Sequence, residues 1–139
     1  MSDHHETAKL TRNQQLVFDA LSDAKTPLSA YTLLDQLRSS GFRAPLQVYR
    51  ALEKLIDNGQ VHRLESLNSF VACQHSNCDQ NKTIAFTICD TCDRVSEFTD
   101  AELSGLLQSI SDNSHFKLEN SVVELRGKCE DCAATEPRQ

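Results

Sequence analysis

The sequence predicts an α+β chain: a winged helix-turn-helix unit followed by a small α/β unit with a four-cysteine zinc site. Three observations carry this expectation. Three short amphipathic helical patterns precede two strand-like runs within residues 1–73. Two C-x-x-C hooks, Cys89-Asp90-Thr91-Cys92 and Cys129-Glu130-Asp131-Cys132, bracket a strand–helix–strand pattern. The net charge of −6 falls wholly in the second half: residues 1–70 hold eight Lys/Arg and eight Asp/Glu, and residues 71–139 hold six and twelve. The expected organisation is a DNA-binding domain over 1–73, a hinge over 74–82, and a dimerisation and metal-binding domain over 83–139. A nucleic-acid partner should meet the first of these, because the second is acidic.

At 139 residues the chain has room for one ordinary domain or two small ones. Met1 to Lys9 is polar and lacks the apolar core of a secretion signal. No apolar run is long enough to cross a bilayer. A reducing cytoplasm is therefore expected, with no membrane partner. Paired cysteines there are more often metal ligands or redox groups than staples.

Thr11 is placed to cap a first helix running to about Asp23, with Leu16, Val17, Ala20 and Leu21 on its buried face. Lys25-Thr26-Pro27 ends it, and Ser29 caps a second helix carrying Leu33, Leu34 and Leu37 as far as Gly41. Pro45 opens a third helix, with Val48, Leu52, Leu55 and Ile56 facing inward, and Asn58-Gly59 stops it. Its outer face carries Gln47, Tyr49 and Arg50. Arg50 suits a bidentate pair with guanine, Gln47 suits adenine, and Tyr49 suits a phosphate or a thymine methyl. Val61–Leu64 and Ser69–Ala72 form a hairpin around Glu65-Ser66-Leu67-Asn68. Helices followed by a hairpin give the winged order, in which the third helix enters the major groove of double-stranded DNA.

Thr83–Cys89 alternates as a strand, and Arg94–Phe98 is a second. Thr99 and Glu102 have capping-box spacing and open a helix with a buried stripe of Leu103, Leu106, Leu107 and Ile110. Phe116–Leu118 and Val122–Leu125 follow as strands. So small a unit buries little alone, which points to a homodimer.

The four thiolates Cys89, Cys92, Cys129 and Cys132 suit one tetrahedral Zn2+ with no open position, the pattern of a structural site. The competing reading, two disulfides or inert thiols, fits a reducing compartment less well. A thioredoxin-type dithiol expects one pair at a helix N-terminus in a βαβ unit, whereas here there are two pairs and strands flank the first. A zinc-held interaction module with no DNA role leaves Tyr31, Tyr49 and Arg50 unexplained. No nucleophile with a convincing His partner and no glycine-rich phosphate loop is present, so the chain is not expected to be an enzyme.

The junction after the wing gathers metal-capable groups: Cys73, His75 and Cys78, with His62 before it and Glu97 beyond the first hook. A metal shared by groups from both halves would fix their relative angle, which is the logic of a sensor. A mixed N/S/O set suits Zn2+ better than iron(II) or manganese. His115 reads as an ordinary histidine at a helix end, with an accessory metal role as the lesser alternative.

The run from Ala44 to Leu52, followed by Leu55 and by Gly59-Gln60-Val61-His62, resembles the recognition helix and wing of the ferric uptake regulator family. The two hooks resemble that family's cysteine pairs, and the likeness extends from about Leu10 to Cys132. His62-Arg63-Leu64-Glu65-Ser66 and Asn68 to Cys73 are similar to the zinc uptake regulator branch, as is Ser29-Ala30-Tyr31, where the tyrosine is a base-contacting residue beside the arginine matching Arg50. The resemblance implies a zinc-responsive repressor of zinc-uptake genes that binds a near-palindromic operator as a zinc-loaded homodimer. An iron- or peroxide-responsive member is the alternative. The resemblance also implies one structural zinc and at least one regulatory zinc per subunit. The regulatory ligands would be His62, Cys73, Glu97 and a junction histidine. The family's junction histidine falls near Asn81 and Lys82, so the fourth ligand is expected to be His75 or Cys78.

Overall fold

A computed structural model describes residues 9–73, 83–119 and 121–135. The chain divides into two compact units, Met1–Cys73 and Gln74–Gln139.

The first unit opens with α1 (Arg12–Asp23). Thr11 Oγ1 accepts from the Gln14 amide at 3.2 Å, and the Thr11 amide donates to Gln14 Oε1 at 3.1 Å. This reciprocal pair satisfies two amides, one at the helix end and one at its cap. α2 (Ala30–Leu37) is capped by Ser29, whose hydroxyl accepts from the Thr32 amide at 3.1 Å. A 3-10 turn over Arg38–Ser40 closes on Gly41 at φ 104°, a conformation that glycine takes without steric cost. α3 (Pro45–Asp57) starts on its proline, as expected.

Strands β1 (Val61–Leu64) and β2 (Ser69–Ala72) pair antiparallel with His62 opposite Val71. Leu28 adds a third edge, exchanging backbone hydrogen bonds with Phe70 at 3.1 and 2.8 Å. Asn68 turns the hairpin at φ 48°. The core joins Val17 and Leu21 of α1, Leu33 and Leu34 of α2, Val48, Leu52 and Leu55 of α3, and Phe42, Val61 and Phe70. This is the winged helix-turn-helix.

The second unit is built on β3 (Ile84–Cys89), whose Ile84, Ala85, Phe86 and Ile88 are buried. β4 (Val95–Thr99) pairs with it antiparallel. α4 (Ala101–Asn113) then carries the chain over to β5 (Val122–Gly127), which pairs with β3 in parallel. The sheet order is β4-β3-β5. A short helix α5 (Glu130–Ala134) follows.

Three details of this unit differ from the sequence expectation. The cap of α4 is Asp100 rather than Thr99: its Oδ1 accepts from the amides of Glu102 and Leu103 at 2.8 and 3.0 Å. A carboxylate at that position also complements the helix dipole. Phe116–Leu118 is not a strand. That stretch terminates the helix instead, with His115 at φ 54°, its amide on the Asp112 carbonyl at 3.1 Å, and the Phe116 amide on the Ser111 carbonyl at 2.8 Å. Finally, the α4 stripe is not buried within the unit: Leu106 is 62% and Ile110 55% exposed. Phe98, Phe116, Val122 and Leu125 are exposed with them, so among the described residues of this unit no second layer covers these side chains.

Candidate metal centre and nucleic-acid interface

The parallel pairing of β3 and β5 explains why distant cysteines meet. Both strands end at the same edge of the sheet, with Cys89 in register with Gly127. The Asp90 amide extends that pairing onto the Gly127 carbonyl at 2.7 Å. The first hook is the loop between β3 and β4. It is closed by the Cys89 amide on the Arg94 carbonyl at 2.9 Å and by the Asp93 amide on the Cys89 carbonyl at 3.0 Å. The second hook follows β5, and its first cysteine is the residue before α5, so this hook is a helical turn. The Ala133 amide donates to the Cys129 carbonyl at 2.8 Å.

All four cysteines are free thiols whose sulfurs lie within 4.8 Å of one another. Cys92 and Cys129 are 3.7 Å apart at sulfur. That is far beyond a disulfide bond. It matches the edge, roughly 3.8 Å, of a tetrahedron of sulfurs around Zn2+ with bonds of about 2.3 Å. The donor set therefore fits zinc, and it excludes paired disulfides within these hooks. One condition for redox chemistry does appear, since the second hook lies at a helix N-terminus. Even so, four thiols converge on one point rather than two.

Without a cation the cluster is electrostatically polarised. Cys89 is lowered from 9.0 to about 6, chiefly because the backbone amides of Cys129 and then Cys92 point at its sulfur. Cys132 is pushed up to about 12 by the sulfurs of Cys129 and Cys89 together with burial. Cys92 is pulled down by the Arg94 amide, but its neighbouring sulfurs Cys89 and Cys129 and partial burial outweigh this and leave it raised. Cys89 forms a thiolate readily, while Cys92 and Cys132 resist. A divalent cation supplies the charge that lets all four ionise.

Three cations beside the hooks, Arg94, Arg126 and Lys128, each reach a side chain within the opposite hook. Arg126 Nη2 meets Asp90 Oδ1 at 2.9 Å, and its Nε reaches the same oxygen at 3.1 Å. Arg94 Nη2 meets Asp131 Oδ2 at 3.1 Å. Lys128 Nζ donates to Thr91 Oγ1 at 3.2 Å.

The other expected metal residues divide between the two units. In the first unit, His62 on β1 and Cys73 just beyond β2 bring their ligand atoms within 4.8 Å of each other. The Cys73 amide donates to the Gln60 carbonyl at 2.8 Å, which continues the β1–β2 register and makes His62 and Cys73 diagonal neighbours on one face. Cys73 is disulfide-bonded in this structure and offers a thiolate only when reduced. In the second unit, Glu97 is a buried carboxylate on β4, opposite Phe86. His75 and Cys78 lie outside the described residues.

On the winged unit, Tyr31 is 68% exposed on α2, and Tyr49 and Arg50 are exposed on α3. Gln47 is half-buried, and its side chain has a local task that the sequence reading missed. Its Oε1 accepts from the amides of Arg43 at 2.6 Å and Ala44 at 3.1 Å. Ala44 has no side chain to cap the helix, so the glutamine three residues on holds the turn before it. The signal was legible in the absence of Ser, Thr, Asp or Asn at the cap position.

Among the described residues no helix is long and apolar enough to cross a membrane. A model of the ferric uptake regulator family matches residues 5–126. The zinc uptake regulation protein of Escherichia coli (strain K12) is 36% identical over 129 residues, covering 92% of this chain and 75% of that protein. The crystal structure of holo XcZur aligns with a TM-score of 0.84 at 39% identity, covering 91% of this chain and 88% of that one. A zinc uptake regulator complexed with zinc and DNA aligns with a TM-score of 0.84 at 35% identity, covering 91% and 84%. With its winged unit, its four-cysteine cluster and a family match over most of its length, this chain belongs to the ferric uptake regulator family, on the zinc uptake regulator branch.

Proposed function

We propose that the chain is a zinc-responsive transcriptional regulator, not an enzyme. Loaded with zinc it binds operator DNA as a homodimer in the cytoplasm and represses zinc-uptake genes. The observation that carries this reading is the likeness, over nearly the whole chain, to zinc uptake regulators, one of them solved with both zinc and DNA.

Residues 1–73 serve as the DNA-binding domain, 74–82 as the hinge, and 83–139 as the dimerisation and metal-binding domain. Arg50, Tyr49 and Tyr31 face the operator. Gln47 stands with them and holds the start of the recognition helix. Cys89, Cys92, Cys129 and Cys132 hold a structural zinc, in keeping with their sulfur spacing. Reduced Cys73, His62 and Glu97 are the regulatory ligands, completed by His75 or Cys78. The chemistry supports this assignment: an imidazole, a thiolate and a carboxylate suit zinc better than iron(II). The exposed apolar side chains of α4, β4 and β5 support a second copy as the covering layer.

Zinc at the regulatory site must bind the DNA-competent arrangement more tightly than the alternative, and the switch can be no larger than that difference. The test is operator binding by the reduced protein across a buffered zinc series, with iron(II) and manganese in parallel. Zinc alone should drive retardation at low free concentration. Equal retardation by iron(II) would transfer the protein to another branch of the family.

A further inference from the structure

We propose that Arg94–Asp131 and Arg126–Asp90 form a reciprocal clasp that positions the two cysteine hooks for zinc, with the four residues acting as positioning residues rather than ligands. The proposal rests on reading the four cysteines as a zinc site.

The arrangement is crossed. Asp90 lies inside the first hook and holds Arg126, which leads into the second. Asp131 lies inside the second hook and holds Arg94, which leaves the first. Lys128, from the strand end beside the second hook, reaches Thr91 in the first. Every one of these links joins one hook to the other, and none joins a hook to itself. They border an open cavity of about 300 Å³ whose lining includes Cys89, Cys129, Arg94, Arg126 and Lys128.

Among the described residues the backbone ties the hooks near the base, where the Asp90 amide meets the Gly127 carbonyl and the Cys129 amide points at the Cys89 sulfur. Cys92 and Cys132 are the far members of each hook and lie beyond the sheet. The Arg94–Asp131 pair spans this outer part. Arg94 also feels the sulfurs of Cys129 and Cys92, one from each hook, alongside the hydrogen bond it donates to Asp131, which is its largest influence. A guanidinium presents several donors in a fixed plane, so it holds a carboxylate in one orientation better than an ammonium does.

A tether and a simple charge make opposite forecasts. Zinc with four thiolates carries a net charge of −2. If only local charge mattered, removing the arginine would weaken metal binding and removing the aspartate would strengthen it. If the pair positions the hooks, both substitutions weaken binding. Each exposed pair should contribute about fivefold, the upper end for surface ion pairs. The double variant Arg94→Gln with Asp131→Asn should then be no weaker than either single variant, because both remove the same link.

The experiment is a cobalt(II) titration of the full, reduced, metal-free chain, reading the sulfur-to-cobalt absorption that reports a tetrahedral four-thiolate site. Expected results are roughly fivefold weaker binding for Arg94→Gln, Asp131→Asn and Asp90→Asn alike, and roughly twenty-five-fold for a variant lacking both pairs, the product of two such links. The shape of the absorption band should not change. All four side chains are exposed, so the variants should fold, which circular dichroism checks. Asp131→Asn binding cobalt(II) as tightly as the parent, or more tightly, overturns the clasp and leaves the zinc site standing. A parent chain with no four-thiolate absorption overturns both.

Discussion

Asp93 donates its amide to the Cys89 carbonyl at 3.0 Å while holding φ at 61°. The first hook thus turns back on itself through a left-handed residue that is not glycine. An aspartate tolerates this conformation at a cost that glycine does not bear. Asp93→Gly should therefore leave the hook intact and raise the stability of the zinc-loaded protein by up to about 1 kcal/mol, offset in part by greater freedom of the unfolded chain. Denaturant unfolding at fixed zinc measures it. A loss of more than that amount would show that the Asp93 side chain has a role beyond its backbone.

The cap of α4 can be tested in the same way. Asp100→Ala removes the acceptor for two amides and should cost about 1 kcal/mol, while Thr99→Ala should cost little. Equal losses from the two would restore the threonine to the capping role the sequence suggested.

The cysteine cluster predicts a pH dependence of metal binding. Cys89 has its pKa lowered from 9.0 to about 6, so above pH 6 it is already a thiolate in the metal-free protein. Its ionisation favours the folded cluster above its ordinary value, and that contribution is lost as the pH falls through 6. Cys132 stays protonated across this range. Filling the site should therefore release about one proton more near pH 5 than near pH 7.5, because Cys89 must then ionise on binding instead of before it. Calorimetry in buffers of different ionisation enthalpy counts them, with Cys73→Ala used to silence the other proposed site. The same count at both pH values would place the cysteine titration elsewhere.

Arg50→Ala should weaken operator binding by about 1–3 kcal/mol, the worth of a bidentate base contact, with zinc content unchanged. Fluorescence anisotropy with matched and scrambled operators separates this from a general loss. Gln47→Ala should act differently. It frees two backbone amides before α3 and should lower stability by about 1 kcal/mol, with binding to all sequences reduced together.

Cys73→Ala should give a folded protein whose operator binding no longer follows added zinc, with the four-cysteine zinc retained. Analytical ultracentrifugation and metal analysis check the fold and the retained ion. Normal zinc-dependent retardation by this variant would remove Cys73 from the sensor.

Much of this was legible because it depends on short-range pattern. Thr11, Ser29 and Pro45 mark helix starts by chemistry confined to one turn, and each lies where that chemistry predicts. The hooks are equally local, and their spacing, taken with the expected reducing compartment, pointed to a common metal. The misreadings have a shared cause. Leu106 and Ile110 follow a buried stripe in sequence, yet a stripe says only that a face is apolar and not what covers it. Phe116 and Leu118 looked like a strand because apolar residues alternate there, but two backbone bonds back to Ser111 and Asp112 close the helix first. The ion pairs Arg94–Asp131 and Arg126–Asp90 join residues 37 and 36 apart. No local pattern announces them, because they exist only once β3 and β5 lie side by side.

That parallel pairing also sets a timetable. β3 and β4 are joined by the first hook and can form as a local hairpin as soon as they are made. β5 must arrive later and take the opposite edge of β3. Cys92 and Cys129 are separated by 37 residues, so at about 5–20 residues per second the first hook leads the second by roughly two to seven seconds during synthesis. Over that interval the nascent chain offers zinc only half a coordination sphere. The four-thiolate centre is therefore a late event in the life of each molecule, and its closure marks the moment at which the sheet has acquired its last strand.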